Sequence, residues 1–178
     1  MSSPRKMSHI VLNTNRLTEM RDWYCKVLSA EVVQETSHIC FISYDDEHHR
    51  VAFIDPGPLA PRPAPNGHGR ASEAGLNHIA FNFATLEELL GNYERLKQLG
   101  IQPNWCVNHG PTTSLYYRDP DGNGVELEFD NFSTMEECKA FMRSTAFAQD
   151  PRGKDFDPEE LIARLRSGAP MAELVVRG

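Results

Sequence analysis

His78-Ile79-Ala80-Phe81-Asn82 repeats His9-Ile10-Val11-Leu12-Asn13 at an offset of 78 − 9 = 69 residues. The same offset pairs Leu17 with Leu86, Glu19 with Glu88, Met20 with Leu89 and Tyr24 with Tyr93. One gap-free offset that matches this many positions marks a duplicated unit. In each copy a short apolar strand leads into an amphipathic helix. The first helix is predicted over Leu17–Leu28, with Leu17, Met20, Tyr24, Val27 and Leu28 on one stripe. The second is predicted from Leu86 to Leu99, opened by a capping-box pair, Thr85 and Glu88, and closed at Gly100. Strands are expected over residues 30–35, 38–44 and 50–55 in the first copy, and 102–107, 113–117 and 125–129 in the second. Each copy therefore reads β-α-β-β-β.

The second copy ends in Leu115-Tyr116-Tyr117-Arg118-Asp119-Pro120-Asp121-Gly122-Asn123-Gly124-Val125-Glu126-Leu127-Glu128-Phe129. Asp119 to Gly122 reads as a tight turn, because Pro presets φ, Asp binds its own backbone and Gly takes a positive φ. In the strand after it, alternation puts Val125, Leu127 and Phe129 on one face and Glu126 and Glu128 on the other. A carboxylate on the inner face of a sheet needs a partner, since burying an unpaired charge is costly.

Between the copies, residues 56–74 are rich in Pro and Gly and read as a linker, lid or interface arm. The organisation expected is one domain: module one at about 7–56, linker 56–74, module two at about 75–132, and a helical tail at 133–178. In the tail, Ser133 and Glu136 suggest a cap for a helix to about Ser144. Asp157-Pro158-Glu159-Glu160 is a strong helix start, with Gly168 as its end.

A net charge of −7 argues against a general nucleic-acid binder. No apolar run reaches the length of a membrane span, and no apolar targeting core follows Met1-Ser2-Ser3-Pro4-Arg5-Lys6. Cys25, Cys40, Cys106 and Cys138 are scattered, which suits free thiols in a reducing compartment. A cytoplasmic location is expected.

His9 and His78 open equivalent strands, and Glu126 lies on the last strand of the second copy. If the copies pair about a pseudo-twofold axis, the three side chains converge. A lone His at a strand start is ordinarily just a surface or core residue; its recurrence in a duplicated slot is what points to a ligand. Two His and one carboxylate suit a non-haem Fe(II) oxygenase site, with Zn(II) as the competing reading.

Gly75-Leu76-Asn77-His78-Ile79-Ala80-Phe81 and Tyr117-Arg118-Asp119-Pro120-Asp121-Gly122-Asn123-Gly124-Val125-Glu126-Leu127 make the chain resemble the vicinal oxygen chelate superfamily over Met7 to Phe132. The resemblance implies an α+β fold of two paired β-α-β-β-β modules around a metal cleft, here with an added helical C-terminal tail. The superfamily holds glyoxalases, epimerases, type I extradiol dioxygenases and metal-free antibiotic-binding proteins, so membership alone does not give the reaction.

Four features resemble extradiol dioxygenases in particular. Val51-Ala52-Phe53 matches Val125-Glu126-Leu127, so Ala52 stands where a glyoxalase-like site has its fourth ligand. His48-His49-Arg50-Val51-Ala52-Phe53 resembles the segment with the acid-base His, and His49 is the better match. Alternation back from Ala52 instead favours His48, unless a bulge intervenes. Tyr116, at 126 − 116 = 10 residues before Glu126, matches a site tyrosine of the family. Asn108-His109-Gly110-Pro111 resembles a loop carrying another site His, though the loop is shorter here.

The resemblance thus implies metal ligands His9, His78 and Glu126, holding Fe(II) or alternatively Mn(II). It implies acid-base work by His49, and hydrogen bonds from Tyr116 and His109 to the reacting oxygens. The substrates would be a small aromatic diol and O2, and the assembly a homodimer. Two alternatives stay open: a glyoxalase-type isomerase or lyase, which needs a fourth ligand, and a non-catalytic small-molecule-binding member, which would not need the ligand set.

Overall fold

The duplicated segments fold as strands β1 (Ile10–Asn13) and β5 (His78–Phe83) in a computed structural model that describes residues 3–60 and 74–177. Most of the expected linker, residues 61–73, lies outside the described residues. The chain forms two compact units. The first comprises Met1–Gly75 with Asp119–Asn123, the second Leu76–Arg118 with Gly124–Gly178.

In the first unit β1 is followed by helix α1 (Leu17–Leu28) and strands β2 (Glu31–Glu35), β3 (Ile39–Ser43) and β4 (Val51–Ile54). The sheet order is β1-β4-β3-β2, with β1 and β4 parallel and the other pairs antiparallel. A bulge between Val32 and Gln34 breaks the register of the edge strand β2. The helix stripe buries Met20, Tyr24 and Val27 together with Cys40, Ile42, Val51 and Phe53. Tyr24 and Phe53 pack with ring centroids 5.2 Å apart. Period-two alternation leaves Phe41, Ala52 and Ile54 for the opposite face.

The Asp119–Asn123 turn belongs to this first unit, although it joins two strands of the second. Asp119 is buried, and burial pushes its carboxyl upward against the pull of its hydrogen bonds. It accepts from the backbone N–H of Asp121 (3.0 Å) and Asn123 (2.7 Å), from Asn123 Nδ2 (2.7 Å) and from the hydroxyl of Tyr24 (3.1 Å). The carbonyl of Pro120 accepts from Arg16. Residues 119–123, which sequence alone assigns wholly to the second module, thus anchor to the first helix.

The second unit repeats the plan: β5, helix α2 (Leu86–Gln98), then β6 (Trp105–Asn108), β7 (Thr112–Arg118) and β8 (Gly124–Asp130). Thr85 caps α2 by accepting from Glu88 N–H at 3.1 Å. The helix buries Leu86, Leu89, Leu90, Tyr93 and Leu96, and the sheet buries Ile79, Phe81, Leu115, Tyr117, Val125 and Leu127. Strand β8 departs from simple alternation, because residues 124–127 are buried whichever way they point.

The tail departs most from expectation. Its first helix, α3 (Met135–Met142), is capped by Thr134 and Glu137, one residue later than Ser133 and Glu136. Both pairs fit the capping pattern; the backbone turns helical at the second. Ser144 starts a separate short helix, α4 (Thr145–Gln149). The chain then forms a two-residue strand, β9 (Lys154–Asp155), which pairs with β6 and extends the sheet to β5-β8-β7-β6-β9. Helix α5 (Pro158–Arg166) begins at the Asp157 cap as the sequence indicates, and docks on α2. Tyr93 donates to Glu159 at 2.7 Å, and Arg166 pairs with Glu94 at 2.8 Å. A last turn, α6 (Met171–Leu174), follows.

Replacing Asp119 by Ala strands the two backbone N–H donors and the Tyr24 hydroxyl in a buried turn. The expected loss is about 2–4 kcal/mol of unfolding free energy, read from urea midpoints at unchanged slope. A change under about 0.5 kcal/mol would deny the turn its anchoring role.

Candidate active site

Parallel pairing of β5 and β8 sets His78 beside Gly124 and Ala80 beside Glu126. Glu126 is 4% exposed. Its Oε2 lies 2.9 Å from His78 Nε2, while His78 Nδ1 donates to Asn77 Oδ1 at 2.8 Å. With the proton on Nδ1, a neutral imidazole turns a bare lone pair toward a carboxylate that also only accepts. Two converging acceptors, one of them a buried carboxylate, call for a cation between them, either a proton or a metal. A histidine whose outer nitrogen is tied to an amide oxygen is also the ordinary arrangement of a metal ligand. The donors therefore fit a divalent metal. Gly124 permits the approach: a Cβ there would stand 2.9 Å from His78 Cβ and 2.5 Å from the Asn77 carbonyl oxygen.

On the neighbouring strand Tyr116 stands directly opposite Glu126. Burial, then the nearby Glu126, push its phenol upward, so the hydroxyl keeps its proton at neutral pH. The ring stacks on Trp105 at 4.8 Å and meets His78 edge-on at 5.3 Å. His109 joins this group, its Nε2 lying 3.0 Å from the Tyr116 hydroxyl. The shorter loop of this chain thus still delivers His109 to Tyr116.

Glu128 shares the face of Glu126. Burial, then Glu126 and Asp130, raise its carboxyl to about 7. Alternation alone marks this residue as a neighbour of the site; its burial is not legible from the sequence. Sequence patterns do not mark Asn77 or Trp105; Asn77 takes its place from its bond to His78 and Trp105 from its register opposite Tyr116.

In the first unit His9, His48 and His49 form a cluster whose ring nitrogens lie within 4.8 Å of one another. The His9 ring is 4.3 Å from His49 and 6.0 Å from His48. His48 and His49 approach through their Nδ1 atoms at 2.6 Å, and Phe41 meets His49 edge-on at 4.9 Å. Burial, helped by His9 and His48, lowers the His49 pKa. Strand β4 begins only at Val51, so residues 48–50 lie in an irregular bend. The parity argument for His48 therefore has no strand to act on. Arg50 fixes the bend, donating to the carbonyls of Met7 (2.9 Å) and Ser8 (3.1 Å) and pairing with Asp45 at 2.8 Å.

Ala52 pairs with Val11 just as Glu126 pairs with Ala80. Val11 and Ala80 are themselves 80 − 11 = 69 residues apart. Ala52, 1% exposed, therefore holds in its own unit the place that Glu126 holds in the other, and it offers no donor atom.

The model of the Glyoxalase/Bleomycin resistance protein/Dioxygenase superfamily matches residues 6–127. Biphenyl-2,3-diol 1,2-dioxygenase 2 of Rhodococcus globerulus is 47% identical, across 96% of this chain and 87% of its own length. Biphenyl-2,3-diol 1,2-dioxygenase 3 of the same organism is 44% identical, across 99% of this chain and 90% of its own. Among solved structures, the fosfomycin resistance protein FosX of Listeria monocytogenes aligns with 78% of this chain and 99% of its own, at a TM-score of 0.56 and 24% identity. That likeness speaks to the fold alone. The duplicated strands, the registers and the matched residues lead to one conclusion: the chain belongs to the glyoxalase, bleomycin resistance protein and dioxygenase superfamily.

Proposed function

We propose that this protein is an Fe(II)-dependent extradiol dioxygenase that opens the ring of a catechol-type aromatic diol with O2. The observation that carries the reading is similarity at 44–47% identity, over nearly the whole chain, to two proteins named biphenyl-2,3-diol 1,2-dioxygenase. Ala52 in the register place of Glu126 supports it, because a glyoxalase-type site needs a fourth protein ligand.

The ligands in this reading are His9, His78 and Glu126, two nitrogens and one oxygen, which suits Fe(II) and also accommodates Mn(II). A bound Fe(II) would hold diol and dioxygen side by side and pass electrons between them. His49 takes a hydroxyl proton from the diol and returns it later in the cycle, a task suited to imidazole. Tyr116 and His109 hydrogen-bond the reacting oxygens. The carbon–carbon bond beside the diol breaks and both atoms of O2 stay in the product. The product has the composition of diol plus dioxygen, and no external reductant is needed.

One cooperating catalytic domain, a homodimer and a cytoplasmic setting belong to the same reading. The exposed edge strand β2, with Val32 43% and Val33 49% exposed, supports the dimer. Four free cysteines support the reducing compartment. Among the described residues no helix is long and apolar enough to cross a membrane.

A second metal set competes, because His9, His48 and His49 lie within coordinating reach of one another. Metal content after anaerobic iron loading separates the two. His78→Ala should lose the iron and His48→Ala should keep it. Gly124→Ala, which displaces His78, should weaken binding about 10–100-fold. Iron retained by His78→Ala and lost by His48→Ala would transfer the site to the three-imidazole cluster.

The reaction is tested by oxygen uptake with a panel of catechols. Uptake should vanish on chelation or oxidation of the iron. His49→Ala should keep iron and catechol affinity while turnover falls about 10²–10⁴-fold, and His48→Ala should change it far less. Equal uptake by His49→Ala and wild type at saturating catechol would remove His49 from the mechanism.

A further inference from the structure

His109 makes two hydrogen bonds, and the outer one comes from the tail. Its Nδ1 lies 2.6 Å from the backbone carbonyl oxygen of Arg152, and its Nε2 3.0 Å from the Tyr116 hydroxyl. A carbonyl oxygen can only accept, so Nδ1 must carry a proton. In the neutral ring Nε2 is then a bare acceptor, facing a hydroxyl that also hydrogen-bonds the Glu126 carboxylate.

The segment that presents this carbonyl is pinned to the sheet. Lys154 and Asp155 pair with Asn108 and Val107 on β6. Asp155 Oδ1 accepts from Trp105 Nε1 at 2.8 Å, and the Arg152 guanidinium lies 4.9 Å over the Trp105 ring. Gly153 has φ +89°, and a Cβ there would strike the Asn108 carbonyl and stand 2.7 Å from His109 Cα. Only a glycine lets the tail run this close to the His109 backbone. Asn108 Nδ2 also donates to the Val175 carbonyl at 3.0 Å, tying the same loop to the end of the tail.

We infer that the tail segment Asp150–Asp155 is a positioning element of the site. Its Arg152 carbonyl fixes the tautomer of His109, so that Nε2 is the nitrogen turned to the Tyr116 hydroxyl, which also hydrogen-bonds Glu126. Gly153 and Asp155 act through His109 and Tyr116 and need not touch substrate. The effect on turnover rests on the proposed function, whereas the tautomer does not.

The full-length chain labelled with ¹⁵N-histidine is examined by imidazole NMR above the ordinary imidazole pKa. His109, assigned by its loss in His109→Ala, should show the neutral Nδ1–H tautomer. Gly153→Ala should abolish that signature. In the iron-loaded enzyme it should lower kcat about 10–100-fold at nearly constant KM. In a His109→Ala background Gly153→Ala should cost nothing further, which general structural damage would not predict. Trp105→Phe keeps a ring against Tyr116 but loses the bond to Asp155, and it should shift the tautomer in the same direction if Gly153→Ala does not fold. An Nε2–H tautomer in the wild type, or His109 signals unchanged in both variants, would overturn the inference. Absence of catechol turnover in wild type would sink the proposed function while leaving the tautomer result to stand or fall by itself.

Discussion

Glu126 facing His78 is the contact on which the second unit turns. A carboxylate buried in a sheet and set 2.9 Å from an imidazole nitrogen whose proton sits on the far side is unstable without a cation. The surroundings read as consequences of that demand. Gly124 clears room for His78, Asn77 holds the ring's outer nitrogen, and Tyr116 covers the carboxylate from the next strand. Stability alone would favour an apolar pair in this position.

Duplication explains both the symmetry of the fold and where it is broken. Each unit runs its first and last strands parallel, with one helix packed on the sheet. Equivalent register places then hold Ala52 in one unit and Glu126 in the other. One unit holds His9 with His49 beside it, and the other holds His78, Glu126, Tyr116 and His109. The superfamily named for glyoxalases, bleomycin resistance proteins and dioxygenases hosts different functions on one fold.

Much of this was legible in the sequence, because a repeat, helix caps and alternation are local signals. Helix α1 over Leu17–Leu28, the Thr85 cap and the Asp157 cap fall where the pattern puts them. The first tail helix starts one residue later than the Ser133 cap indicates, since Ser133 and Thr134 offer the same hydroxyl chemistry. His48 against His49 was undecidable by parity, because the strand stops at Val51. Strand β9 left no signal: two residues carry no periodicity, and their pairing with β6 depends on a glycine that reads as an ordinary turn residue. The Arg152 carbonyl on His109 is a backbone contact, which side-chain patterns do not announce.

Ring opening beside the diol with both oxygen atoms retained distinguishes the proposed activity from every alternative. It is read from the mass and cleavage position of the product that the iron-loaded protein forms from a catechol under O2. The proposed activity gives one product with the mass of diol plus dioxygen, cleaved outside the two hydroxyl-bearing carbons, with equimolar oxygen consumption. Cleavage between those carbons, or conversion of a glutathione hemithioacetal without oxygen uptake while the diol is untouched, would contradict it.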